Sequence, residues 1–86
     1  MQIFSSRSFD RQFKKVSIKI KKQFSKRLEL FLNDPWHSQV NLHKLSGSYA
    51  ELWSINITGD IRAVLDRSRR DSILFIAIGP HSKLYE

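Results

Sequence analysis

Between residues 9 and 31 the apolar side chains fall at Phe9, Phe13, Val16, Ile20, Phe24, Leu28 and Phe31. Steps of three and four predict helix. Ahead of them "QIFS" at 2–5 reads as a short first strand, and Ser8 is placed to cap the helix that follows. Nothing interrupts the helical pattern until Asn33-Asp34-Pro35, yet one unbroken helix of that length would measure roughly 37 Å, too long for a small domain. The β-branched stretch Val16-Ser17-Ile18 is its weakest part, and Ser17 can cap a second helix, so two helices are expected over 8–15 and 18–33. The face opposite the apolar stripe carries Lys14, Lys15, Lys19, Lys21, Lys22, Lys26 and Arg27. Such a face is ordinarily solvated, with RNA contact as the alternative.

Residues 36–48 read as a polar connector pinned by Trp36, Val40, Leu42 and Leu45, with a turn at Gly47. After it the period changes from helical to two. Along 50–57, Trp53, Ile55 and Ile57 share one face and Leu52, Ser54 and Asn56 the other; Thr58-Gly59-Asp60 supplies hairpin-turn chemistry. Along 61–66, Ile61, Ala63 and Leu65 alternate with Arg62, Val64 and Asp66. The stretch 72–78 is apolar on both faces, as a covered central strand would be. The predicted order is β-α-α-β-β-β: an α+β fold in one domain over 1–86, with two helices on one face of a mainly antiparallel sheet. The other face is then partly open. It carries Arg62 and receives Gly79-Pro80-His81 at its edge, so a basic concave surface is expected there.

Composition narrows the classes. With 41% hydrophobic residues, two prolines and three glycines, the 86-residue chain is expected to be ordered around one core. The absence of cysteine excludes disulfides, thiolate metal sites and cysteine nucleophiles. The longest apolar run, 73–79, is far short of the roughly 20 residues that cross a bilayer, and "MQIFSSRSFD" has no signal-peptide pattern. A soluble, cytoplasmic protein without a membrane partner is expected. Fifteen Lys and Arg against eight Asp and Glu give a net charge of +7, which points to a polyanion or an acidic protein as partner.

The three histidines, His37, His43 and His81, lack helical zinc spacing and have no carboxylate cluster, so neither metal nor cofactor is expected. Phosphate-cradling glycine loops, nucleophile elbows and paired carboxylates are missing too. What remains is His43 and Lys44 in the connector, Arg62 on a strand, and His81 and Tyr85 near the end. Metal-free RNA cleavage needs little more: a base for the 2′-hydroxyl, an acid for the leaving 5′-oxygen, and a fixed cation for the phosphorane. Imidazole serves as acid or base near neutral pH, and guanidinium clamps phosphate. Structural roles stand beside these. His81 can cap the strand end, Arg62 can pair with Asp60 or Asp66, Tyr85 can cover the core, and Trp36 and Trp53 suit packing better than base stacking.

Three local patterns, "HKLSG", "GDIRAVL" and "IGPHSKLY", set in an order that spans nearly the whole chain, resemble the RelE/ParE superfamily of type II toxin–antitoxin toxins, nearest its RelE/StbE and YafQ-like branch. The resemblance implies two helices on a curved sheet and an mRNA endoribonuclease that cuts without metal in the ribosomal 30S A site. It also implies a toxin that is monomeric alone and forms a hetero-oligomer with an acidic antitoxin that holds it inactive. By the same resemblance His81 is the C-terminal acid or base, Tyr85 the aromatic residue closing that motif, His43 the histidine of the H-x-L-x-G turn, Arg62 the phosphate-contacting arginine, and Asp60 an accompanying acid. Ala77 departs from the pattern, because YafQ-like toxins place an arginine there. Lys44, Lys83, or Arg67, Arg69 and Arg70 of "RSRR" are the candidates to contact RNA in its stead. Which histidine is the base stays open. Two alternatives share the fold: a ParE-like gyrase inhibitor, against which the histidine pair argues, and a catalytically weak basic RNA-binding domain, which Ala77 favours.

Overall fold

The computed structural model describes residues 1–49 and 51–84. The cap of the first helix is Ser6 and not Ser8. Its backbone is extended (φ −78°, ψ 166°), its hydroxyl accepts the Phe9 N–H, and β1 (Gln2–Ser5) therefore runs straight into α1 (Arg7–Lys15). Ser6 wins because its hydroxyl also donates to the Ile76 carbonyl at 2.8 Å, which ties the helix start to the sheet. The break falls where the β-branched stretch predicted it. Ser17 takes an extended backbone and accepts the Ile20 N–H at 3.2 Å, starting α2 (Ile18–Asn33). Asp34 ends that helix by donating its N–H to Leu30, just ahead of Pro35.

The remaining elements are β2 (His43–Lys44), β3 (Trp53–Asn56), β4 (Ile61–Asp66), β5 (Ser72–Pro80) and α3 (His81–Leu84). The sheet order is β1-β5-β4-β3-β2, with β1 and β5 parallel and the other pairs antiparallel. Three expectations are corrected. The connector contains a two-residue edge strand and a 3₁₀ turn at Gly47–Tyr49, with Gly47 at φ +65° where a side chain would be strained. The strand expected over 50–57 pairs only over 53–56; Ala50 lies outside the described residues, and Ile57 donates its N–H to Ile61 across the hairpin turn. The last strand runs on to Pro80, and a single helical turn follows.

Two rows of side chains, Trp53–Leu65–Phe75 and Ile55–Ala63–Ile78, cross the sheet on the helix side. Phe9, Phe24 and Phe31 of the helices close over them, with the rings of Phe9 and Phe24 at 5.5 and 5.2 Å from that of Phe75. The row spacing on β5 is uneven because Val64 faces Ala77 while Leu65 faces Phe75, which leaves Ile76 as an extra residue. This is a β-bulge. It frees backbone groups that α1 then satisfies: Ser6 donates to the Ile76 carbonyl, and the Ile78 N–H donates to Gln12 Oε1 at 2.9 Å. Beyond the bulge the faces exchange, so Ile78 enters the core while Ala77 and Gly79 turn to the opposite side. Among the described residues no helix is long and apolar enough to cross a membrane.

Candidate functional site

On the side of the sheet away from α1 and α2, one row runs His43–Ser54–Val64–Ala77 and the next Asn56–Arg62–Gly79. This face is less open than expected. Ser54 and Val64 are buried, and α3 folds back so that a Cβ on Gly79 would meet Leu84 Cδ2 at 3.6 Å. The carboxyl-terminal turn thus lies over one end of the face and leaves Arg62 and Ala77 half-buried.

Arg62 is anchored by the hairpin turn. Its Nη1 donates to the Thr58 and Gly59 carbonyls at 3.0 and 2.9 Å, not to Asp60 or Asp66. Those two bonds use both Nη1 hydrogens, which leaves Nε and Nη2, the side-on edge of the guanidinium fork, for an oxyanion. The turn itself is braced by Thr58 Oγ1, which accepts the Asp60 and Ile61 N–H groups at 3.3 and 3.0 Å. The same turn holds the end of β5, because the His81 N–H donates to the Asp60 carbonyl at 3.0 Å. His81 is exposed and starts α3, two residues beyond Gly79, the partner of Arg62. An arginine and a histidine from facing strands therefore meet at one turn.

His43 lies on the same side of the sheet, two strands from β4 and one row from Arg62. Its Nδ1 is 2.8 Å from the Asn41 carbonyl. A carbonyl only accepts, so Nδ1 carries the hydrogen and Nε2 of the neutral ring keeps its lone pair. Asn41 is in the left-handed region (φ 50°), where asparagine is the side chain tolerated most readily, and its amide reaches Asn56 Oδ1 at 3.4 Å. His37 is different: its Nδ1 accepts the Gln39 N–H at 3.0 Å and so belongs to a turn.

The other expected residues do not gather here. Lys44 faces Trp53, which places it on the helix side of the sheet, opposite to His43. Arg67 stacks over Trp53 and Trp36 at 5.0 and 5.7 Å, so the two tryptophans form a packed rim as expected. Arg69 and Arg70 share its turn, at the other end of β4 from Thr58–Asp60. Asp66 stands there too. The N–H of Ser68, at 2.8 Å, followed by the Ser68 hydroxyl, holds its carboxyl below the ordinary value against a small desolvation cost, and the charge of Arg69 helps. Asp60 and Lys83 are exposed beside His81, and Tyr85 lies outside the described residues. No group of three or more His, Cys, Asp or Glu converges among the described residues.

The expectation of a basic concave face also fails. Nine of the fifteen Lys and Arg but only two of the eight Asp and Glu lie within 7–33, and the rest of the chain holds six of each sign. The whole +7 belongs to the helix layer. Sequence reasoning passed over Asn41, Asn56 and Thr58 as site-building residues. Asn56 was the legible one, a polar residue in strand register with Arg62.

No protein-family model matches the chain, and no curated protein matches it in sequence. Solved structures do match it. YafQ from Escherichia coli strain BL21(DE3) superposes with a TM-score of 0.83 at 16% identity, over 99% of this chain and 98% of that one. The YoeB/ParE toxin from Agrobacterium tumefaciens gives 0.78 at 18% identity, over 94% and 99%. A chain of the RelB–RelE antitoxin–toxin complex from Methanococcus jannaschii gives 0.72 at 19% identity, over 95% and 94%. The chain has the fold of the RelE/YafQ-like type II toxins.

Proposed function

We propose that the protein is the toxin of a type II toxin–antitoxin module and cleaves mRNA on the ribosome. The observation that carries the reading is the anchored Arg62: two loop carbonyls fix one side of its guanidinium, its side-on edge remains for a phosphate, and the same turn holds the main chain of His81. In the reaction, His43 Nε2 takes the proton of a ribose 2′-hydroxyl, and that oxygen attacks the neighbouring phosphorus. Arg62 holds the non-bridging oxygens as charge builds on the phosphorane. His81 protonates the departing 5′-oxygen, leaving a 2′,3′-cyclic phosphate. Asn41 acts on His43 as a positioning residue, by fixing which ring nitrogen carries the hydrogen. The fold's neighbours include toxins solved with antitoxins, which supports an acidic antitoxin as the partner that restrains this activity.

One observation favours a second reading, a domain that binds RNA without cutting it. The floor between His43 and Arg62 is Ser54, Val64 and Ala77, without a second cation, and the net charge lies on the far side of the molecule. Cleavage of mRNA on translating ribosomes separates the readings. His81→Ala is expected to abolish cutting while antitoxin affinity stays within about threefold, since removing an acid or base costs about 10²–10⁴ in rate. Normal cutting by the variant would remove His81 from the mechanism, and a wild-type protein that binds but never cuts would establish the second reading.

A further inference from the structure

The first strand is an edge with little to guard it. β1 ends the described sheet, all four of its residues are exposed, and Ile3 and Phe4 are 38% and 51% accessible. Natural edges are usually blunted by a charge, a proline, a bulge or a covering element. Gln2-Ile3-Phe4-Ser5 has none of the first three within it. Its ladder bonds to β5 start from the N–H groups of Gln2 and, one residue past the strand, Ser6; by strand alternation the N–H and C=O groups of Ile3 and Ser5 face outward. That is a template for an added strand.

Two hollows flank the same edge. One, of about 230 Å³, lies towards the helices against Met1, Leu32 and Ile73; the other lies on the opposite face against Phe4 and Leu74. Arg69 lines both, and Arg70 joins it at the first. A strand laid along β1 sends alternate side chains to the two faces, so each hollow takes an apolar residue of that strand. The arginines select its charge. Among nearby carboxylates, Asp66 is occupied by Ser68 and Asp10 by the Ser5 hydroxyl, which leaves Asp71 alone against Arg69, Arg70 and Arg7.

We infer that the β1 edge and its arginine turn bind an extended protein segment that alternates acidic with apolar residues and adds to the sheet as a sixth strand. This deepens the toxin reading by giving its acidic partner a seat, remote from the turn that joins Arg62 and His81. A segment disordered when free suits it, since an extended strand and a run of carboxylates have no core of their own.

The test is binding alone, so a failure to cleave RNA leaves it untouched. The ¹⁵N-labelled protein is titrated with a short synthetic peptide alternating Glu with Val and Phe, with the same peptide N-methylated at alternate amides, and with its Lys-for-Glu counterpart. The expected result is amide shifts confined to 1–5 and 69–74, slowed hydrogen exchange at Ile3 and Ser5, and no binding of the N-methylated or lysine peptides. Arg69→Glu with Arg70→Glu is expected to weaken binding about tenfold or more with an unchanged melting temperature, because the charged rim is then reversed. Ile3→Pro is expected to block the added strand by removing one outward N–H while tolerating the edge position. Shifts spread over α1 and α2 would overturn the proposal in favour of unspecific charge attraction, as would equal binding of the N-methylated peptide or by the arginine variants.

Discussion

Ala77 is where chemistry and sequence disagree most sharply, and its register says what the disagreement means. The bulge turns it to the catalytic side, beside Val64 and two residues before Gly79, so a longer side chain there would lie along the row next to Arg62. Ala77→Arg is therefore expected to raise ribosomal mRNA cleavage by about ten- to a hundredfold, as a second preorganised cation meets the phosphorane. Cleavage rates with melting temperature as a control decide it, and an inert, folded variant would show that the pattern's missing arginine is not what limits the reaction. Asp66 offers a residue-scale prediction on stability. Its carboxyl is held below its ordinary 3.8 chiefly by the Ser68 N–H, so the charged form favours the fold. A depressed carboxyl contributes above its unfolded value and loses that contribution as pH falls through the folded one. Asp66→Asn is expected to lower the urea midpoint at about pH 7 and to match the wild type at about pH 2, since by then both side chains are uncharged.

Elements decide which residues reach the site, and α1 governs the end of β5 through two side chains. The Ile78 N–H depends on Gln12, and the Ile76 carbonyl on Ser6. Gln12→Ala leaves that N–H without its acceptor at a cost of about 1–3 kcal/mol. It also loosens the register that presents Ala77, Gly79 and His81, so cleavage is expected to fall further than stability alone explains; chemical denaturation and cleavage on the same samples compare the two. The bulge also marks the limit of what sequence reading reached. The helices were legible because seven apolar residues keep one period and Ser17 caps locally. The middle hairpin was legible because its alternation is uninterrupted and Thr58-Gly59-Asp60 turns it. In contrast, Ser6 was chosen over Ser8 by a carbonyl 70 residues away, and Gln12 acts across 66. No local pattern records such partners. β2 is two residues long, too short for alternation to appear. His43 and Arg62 were legible as chemical types, but the use of Asn41 as a tautomer-fixing group rests on a left-handed backbone that only the folded loop defines.

At the scale of the whole molecule the charge is segregated by layer. α1 and α2 carry the net positive charge on their outer side, while the catalytic face is built from neutral and singly charged residues. Not all of that helix charge faces water: Arg27 turns inward, where its Nη1 donates to the Gln39 carbonyl and, at 2.8 Å, to that of Asn56, fastening α2 to the start of the hairpin. The exposed lysines have no such duty. A positive layer on one side and a phosphate clamp on the other means that capture and cutting are separable, with long-range attraction set by the helices and the fate of one phosphodiester by the turn. Reversing Lys19, Lys22 and Lys26 to Glu is thus expected to weaken RNA binding and to flatten its dependence on salt, by about 0.7 in the log–log slope for every single-strand phosphate the protein no longer neutralises. Arg62→Ala, by contrast, is expected to remove cleavage while changing that slope by no more than about one phosphate's share. Binding isotherms across a salt series for both variants measure the separation. Equal slopes for the lysine variant and the wild type would mean that the helix layer serves solubility only, and that the clamp face must gather its substrate unaided.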